Sequence, residues 1–405
     1  MSAESFLREI EGGVCAAQGV AASAATAGIK ESGRPDMTLL AFDSPAQAAG
    51  VYTRNKVCAA PVVLCRERVG KGPLRAILVN SGNANACTGK QGLKDARRIT
   101  QALAKELGCP QARVAMCSTG LIGQRLPVDL MERALGGLVR DLAPGKGREA
   151  AAAIMTTDTR PKEHAVEIDL GGGQRVRLGG MTKGAGMIAP NMATMLAFLT
   201  TDAAVPSRVL LPALRKAADL TFNCVTVDGD TSTNDTAILA ATGASGVRIA
   251  GGRALERFRA GLDKVCRALA LAILRDGEGV TRVVEIRIRG AASPADARRA
   301  GRTVAESLLV KTAFFGGLPN WGRIFAAAGR SGARIAPERM SLEIGGVPVV
   351  RYGAPVEGWE GPLAPVLKRP EFMVNLHLGA GRAEGAVWTT DLSYEYVKIN
   401  ADYRT

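Results

Sequence analysis

The stretch Lys183 to Ala203, KGAGMIAPNMATMLAFLTTDA, changes character part-way along. Its first residues are glycines and small side chains, which permit close or unusual backbone geometry. From Met195 to Leu199 it becomes a short apolar run, the pattern of a buried strand. Ala193 and Thr194 stand at the head of that strand, so a hydroxyl there is held at the start of a rigid element.

Reading outward, helix and strand patterns alternate along the chain, which predicts a mixed α/β architecture. Leu255, Phe258, Leu262, Val265, Leu269 and Ile273 recur at three- and four-residue steps. They mark one apolar face of a long helix over Arg253 to Asp276, closed by Gly277. Val284, Ile286 and Ile288 then alternate with Glu285, Arg287 and Arg289, as in a half-buried strand. Ser293, Pro294 and Asp296 predict an N-cap, a first-turn proline and an early acid for the next helix. Hairpins are expected in AVEIDLGGGQRVRLGG, turning at Gly171 to Gly173, and in MSLEIGGVPVV, turning at Gly345 and Gly346. No repeat or low-complexity linker divides the 405 residues, so one compact unit is expected.

Composition narrows the class. No apolar run reaches the roughly 18 residues of a membrane span, and MSAESFLREIEGG lacks the basic start and apolar core of a signal peptide. A soluble, cytoplasmic protein without a membrane partner is the expectation. The formal charge of +14 raises nucleic acid as a partner, but Lys and Arg are dispersed among acids and aromatics are 4%. No nucleic-acid partner is therefore expected, and attraction of small acidic substrates accounts for the charge. The eight cysteines include no CxxC pair and read as reduced, mostly buried thiols. Only His164 and His377 are present, neither at metal-ligand spacing, so no metal is expected.

A threonine hydroxyl is a weak nucleophile unless a base takes its proton, and histidine is the usual helper. None lies near Thr194. If the peptide bond before Thr194 breaks, the freed α-amine sits on the same residue as the hydroxyl and can act as its base. Such an amine ordinarily has a pKa of about 7.7 to 8.0, so a good fraction is neutral at physiological pH. Ala193 leaves room for attack on its carbonyl, Pro190 stiffens the approach, and Lys183 supplies a cation to lower the amine pKa or meet a carboxylate. Taken locally, the plainer reading is a threonine that opens a core strand.

KGAGMIAPNMATML is similar to the self-cleavage and active-site motif of the ornithine acetyltransferase family, the bifunctional glutamate N-acetyltransferases and amino-acid acetyltransferases of arginine biosynthesis. Further blocks carry the resemblance from end to end: GIK at Gly28, VNSGNANACTG at Val79, STGLIG at Ser118 and MTTDTRPK at Met155. FNCVTVDGDTSTNDT at Phe222, DGEG at Asp276, PNWGRI at Pro319 and YVKINADYRT at the C-terminus complete it. Leu318, before PNWGRI, stands where the family often has Asp.

The resemblance implies an α/β, mixed α+β fold: a layered sheet-and-helix sandwich of the self-cleaving N-terminal-nucleophile type, resembling the DmpA/ArgJ-like fold. It implies cleavage between Ala193 and Thr194, giving an α chain of residues 1–193 and a β chain of residues 194–405 that remain one unit. Thr194 would then attack the acetyl group of N2-acetylornithine, release ornithine and pass the acetyl group to glutamate, in ping-pong order. Thr119 and Gly120 would supply the oxyanion hole through a hydroxyl and a backbone N–H. Substrate contacts carry over to Thr156 with its neighbour Thr157, and to Lys183, Thr194, Glu278, Asn400 and Thr405. A carboxylate at Glu278 suits an amino-acid ammonium group. No cofactor is implied, acetyl-CoA is an optional co-substrate, and assembly is a heterotetramer of two α and two β chains.

Two look-alikes are set aside. GNANACTGK has the wrong spacing for a phosphate loop, and DGDTSTND carries Thr233 where a calcium loop needs glycine, so it reads as a tight structural turn. The rival enzymatic reading is an N-terminal-nucleophile amidase or aminopeptidase in which water resolves the acyl-enzyme. Purified protein should run as two fragments on a denaturing gel, the larger starting TMLAFL by N-terminal sequencing. Thr194→Ala should remain one band and lose transfer.

Overall fold

A computed structural model describes residues 5–189 and 195–402. The apolar run forms the strand Leu196–Thr201, and all six residues are buried. Burial on both faces requires a covering layer on each side. Because successive side chains point oppositely, Leu196 and Phe198 enter one core while Ala197 and Leu199 enter another.

Those two cores belong to a folded-over sheet. Among the described residues nine strands pair, in the order Leu7–Ile10, Lys162–Gly171, Gln174–Lys183, Leu196–Thr201, Thr236–Ala241, Met37–Tyr52, Leu74–Asn83 and Val114–Leu121, with Val20–Ala25 beside Met37–Tyr52. The long strand Met37–Tyr52 serves both halves. Met37 to Ala41 pair with Leu74–Asn83, whereas Gln47 to Tyr52 pair with Thr236–Ala241. Between them the register jumps at Ala41/Ala46, where Asp43, Ser44 and Pro45 interrupt the ladder.

The halves therefore stack. Leu40, Phe42, Ile77 and Val79 from one meet Met181, Leu196, Phe198 and Ile238 from the other. Helices Ser207–Leu220 and Gly252–Arg275 cover the outer face bearing Ala197, Leu199 and Leu239. Helices Gly89–Glu106 and Val128–Arg140 cover the opposite face, bearing Leu39, Leu78 and Met116. The result is helix, sheet, sheet, helix: the expected layered sandwich.

A second sheet of seven described strands is built mostly from residues beyond 280, with the short strand Val225–Thr226 at its edge. Its apolar face packs on helices Pro294–Ala305, Leu308–Gly316, Trp321–Gly329 and Glu360–Leu367. The other face keeps polar pairs such as Arg287–Glu285 and Asn375–Glu343. One covered face explains the alternation in Val283–Ala291.

The local expectations hold at the helix Gly252–Arg275, at both hairpins, and at Ser293, whose side chain accepts the Asp296 N–H. The cysteines meet the expectation of reduced thiols, while fewer of them are fully buried than expected. All eight are free, but Cys65, Cys117, Cys224 and Cys266 are buried, Cys15, Cys58 and Cys109 half-buried, and Cys87 exposed. The junction of residues 193 and 194 lies outside the described residues; strands from either side of it, Gln174–Lys183 and Leu196–Thr201, pair antiparallel.

Phe198 is fully buried between the two sheet layers. Phe198→Ala should lower unfolding free energy by about 3–5 kcal/mol through lost burial and the cavity left behind, read as a lower denaturant midpoint.

Candidate active site

The ends of these elements enclose a cavity of about 250 Å³. Thr119 and Gly120 enter from the end of Val114–Leu121, Thr156 and Thr157 from the loop after helix Gly147–Ala153, and Lys183 from the end of Gln174–Lys183. Met195 and Leu196 stand at the start of the next strand, Glu278 follows helix Gly252–Arg275, and Asn400 comes from helix Tyr394–Asp402. Seven residues singled out from separate sequence blocks thus share one cavity. Ala193, Thr194 and Thr405, as well as Pro190, lie outside the described residues.

Lys183 is the hub. Its Nζ donates to Thr156 Oγ1 at 2.7 Å and Thr119 Oγ1 at 3.2 Å. An ammonium group donates but cannot accept, so both hydroxyls are acceptors toward it and each keeps its own O–H for another partner. Burial lowers the Lys183 pKa, and nearby Lys162 adds to this, against the pull of Asp158, Glu278 and Asp235.

Behind Lys183 runs a buried ionic chain. Asp158 lies 4.0 Å from Lys183 Nζ and accepts the Gly184 N–H at 2.7 Å and the Thr156 N–H at 3.0 Å. Lys162 Nζ bridges Asp158 and Asp276, both at 2.5 Å. Asp276 in turn accepts the Thr159 N–H at 3.0 Å and its hydroxyl. Burial by itself would raise the Asp158 pKa, but Lys183 and Lys162 overcome it and hold the carboxyl at about 2.

Two glycines are required by close approach. Gly120 has φ +130°, and a Cβ there would lie 2.3 Å from the Gly82 carbonyl carbon. At Gly186 a Cβ would lie 2.4–2.5 Å from the Glu278 carboxyl group, so this glycine lets the carboxylate reach the cavity. Asn400 Nδ2 donates to Glu278 Oε2 at 2.8 Å, tying the last helix to that carboxylate.

The loop read as a tight structural turn is more than that. Asp228, Asp230, Ser232, Thr233, Asn234 and Asp235 all line the cavity. Asp228 accepts the Met187 and Ile188 N–H groups at 2.7 and 2.8 Å and the Tyr396 phenol, fixing Met187 at φ +53°. Asn234 Nδ2 donates to the carbonyls of Ala84 and Ser118, locking this loop to the strand that carries Thr119. Sequence reasoning missed Asp158, Lys162, Asp228, Asp235 and Tyr396 as individuals, although every one lies inside a block already noted. Leu318 belongs elsewhere: it is exposed and lines a different, small cavity with Pro319 and Trp321.

A sequence model of the ArgJ family matches residues 21–405. The chain belongs to the ArgJ family. It is 51% identical, over 95% of its length and 98% of the relative's, to the arginine biosynthesis bifunctional protein ArgJ of Geobacter sulfurreducens. The ArgJ protein of Symbiobacterium thermophilum is 48% identical over 98% of this chain and 99% of its own. A solved ornithine acetyltransferase from Mycobacterium tuberculosis, complexed with ornithine, is 43% identical over 46% of this chain and 100% of that chain, with a TM-score of 0.44.

The depressed Asp158 pKa has a pH signature. A carboxyl at about 2 when folded, against an ordinary 3.8, stabilises the fold above pH 4. That contribution, roughly 2 kcal/mol, is lost as pH falls from about 4 toward 2. Asp158→Asn should show a shallower loss of stability over this interval, measured by denaturant unfolding at several pH values.

Proposed function

We propose that this chain transfers the acetyl group of N2-acetyl-L-ornithine to L-glutamate through an acetyl-Thr194 intermediate, yielding ornithine and N-acetylglutamate for arginine biosynthesis. The observation that carries this reading is the single cavity into which Thr119, Gly120, Thr156, Thr157, Lys183, Glu278 and Asn400 converge beside Met195, the residue bonded to Thr194. Membership of a family whose relatives are named for bifunctional arginine biosynthesis supports it.

In this reading the chain first cuts itself between Ala193 and Thr194, and the two products stay together as α and β chains. The amine of Thr194 then takes the proton of its own hydroxyl, which attacks the acetyl carbonyl. Thr119 donates its free O–H to the oxyanion because Lys183 already occupies one of its lone pairs. Gly120 adds a backbone N–H. Glu278 receives an ammonium group of the amino-acid substrate, and Thr156, Thr157 and Asn400 complete the wall. Ornithine leaves, glutamate enters the same site, and its amine takes the acetyl group. Acetyl-CoA as a second donor, the absence of a bound cofactor and assembly of two α with two β chains belong to this reading. So does residence in the cytoplasm; no described helix is long and apolar enough to cross a membrane.

Acetylornithine supplied with glutamate should yield acetylglutamate, while free acetate as the main product would assign the chain to hydrolysis instead. Glu278→Ala should raise the KM for acetylornithine at least about 10-fold, the worth of one charge-assisted contact. Self-cleavage should persist in that variant.

A further inference from the structure

The loop Asp228 to Asp235 has two sides. Asp228, Asp230 and Ser232 line the transfer cavity, while Gly229 and Thr231 line a second cleft of about 650 Å³. An adjoining hollow of about 370 Å³ shares Arg54 and Asp219 with that cleft. Such volumes are those of small-molecule sites.

The walls are basic. Arg54 follows the strand Met37–Tyr52, Arg66 belongs to helix Ala60–Arg68, Arg215 to helix Ser207–Leu220, and Arg298, Arg299 and Arg302 to helix Pro294–Ala305. Arginines dispersed along the sequence are thus brought to one concave surface. Among the described lining residues the acids are Asp219 and Glu306, and both are engaged: Asp219 accepts from Asn223 Nδ2 and Glu306 from Arg302 Nε, each at 2.8 Å. Arg299 donates to the Gly332 carbonyl and Arg66 to the Thr53 carbonyl, each at 2.7 Å. The guanidinium groups of Arg54, Arg215 and Arg298 have no hydrogen bond or ion pair among the described residues. Arg298 and Arg302, one helical turn apart, repel each other, and a cleft lined by one sign of charge focuses its field on an ion of the other.

We propose that this cleft binds a phosphate-bearing small molecule, with its phosphate oxygens held by Arg54, Arg215 and Arg298. The planar guanidinium fork matches phosphate oxygens in pairs, and a diphosphate offers enough of them for several forks. The transfer cavity is no alternative, because Asp228, Asp230 and Glu278 line it and Lys183 already donates to two hydroxyls. The cleft is nevertheless joined to that cavity. Arg54 stands between Thr53, whose Oγ1 donates to the Ser232 carbonyl at 2.7 Å, and Asn55, whose Nδ2 donates to the Thr231 carbonyl at 2.8 Å. An anion on Arg54 is therefore one residue from each side chain that holds the loop. Two sources carry this chemistry: the diphosphate arm of acetyl-CoA, which rests on the reading above, and a separate phosphorylated ligand.

The test titrates inorganic pyrophosphate into the full chain by calorimetry, as wild type, Arg54→Glu, Arg298→Glu and, to control for net charge, Arg351→Glu. All three arginines are exposed, and Arg351 lies at the end of the strand Val347–Arg351, outside the cleft. Thermal unfolding serves to confirm that each variant is folded. Wild type and Arg351→Glu should bind alike, and Arg54→Glu and Arg298→Glu at least about 10-fold more weakly, the worth of one charge-assisted contact. Wild type that binds no pyrophosphate at millimolar concentration, or Arg351→Glu weakened as much as the other two, would overturn the site. Kinetics assign the source. In the two cleft variants, a KM raised for acetyl-CoA but not for acetylornithine marks the donor's phosphate arm, and weakened pyrophosphate binding with both KM values unchanged marks a separate ligand. Wild type without acetyl transfer would refute the functional reading and leave the binding result standing.

Discussion

Lys183, Asp158, Lys162 and Asp276 form a line of alternating charges inside the protein, and the site depends on it. Each charge is expensive to bury, and each is tolerable only because its neighbours are present. The line therefore acts as a clamp among three distant parts of the chain: the strand end at Lys183, the loop of Thr156 to Lys162, and the end of the helix that precedes Glu278. Remove one member and the others are left as uncompensated buried ions. The same clamp sets the chemistry, because an ammonium held here has two hydroxyls to donate to and an acidic cavity wall before it.

The sandwich gives that clamp a rigid frame. Strands buried on both faces cannot slip by one residue without moving apolar side chains from one core to the other. Leu196–Thr201 and Thr236–Ala241 are locked in this way, and they carry Met195 and Asp235 at their starting ends. The fold-over of Met37–Tyr52 brings the Thr119 strand opposite the Lys183 strand. Asn234 then stitches the layers together at the cavity.

Much of this is legible in the sequence alone. The long helix, the half-buried strand after it, both hairpins and the Ser293 cap follow from local periodicity and turn chemistry, which act over a few residues. Membership of the cavity was legible for Thr119, Gly120, Thr156, Thr157, Lys183, Glu278 and Asn400 because motif blocks mark them. Asp158 and Lys162 were not, since an acid and a lysine four residues apart look like a solvated surface pair until their burial is known. Nor was Asp235, which is buried in the turn before Thr236–Ala241 and yet lines the cavity. Asp228 was misjudged with its whole loop: acids and hydroxyls around glycine describe a turn equally well whether or not it faces a cavity.

The sequence by itself determined the kinds of element, the apolar faces they would bury and the blocks that carry the chemistry, because these are properties of near neighbours along the chain. Only the tertiary structure decided which blocks meet and which charges lose their water. It also decided which face of the Asp228–Asp235 loop looks into the cavity. Those outcomes depend on residues more than 100 positions apart, as Lys162 is from Asp276, and on a dielectric that exists only after the layers close.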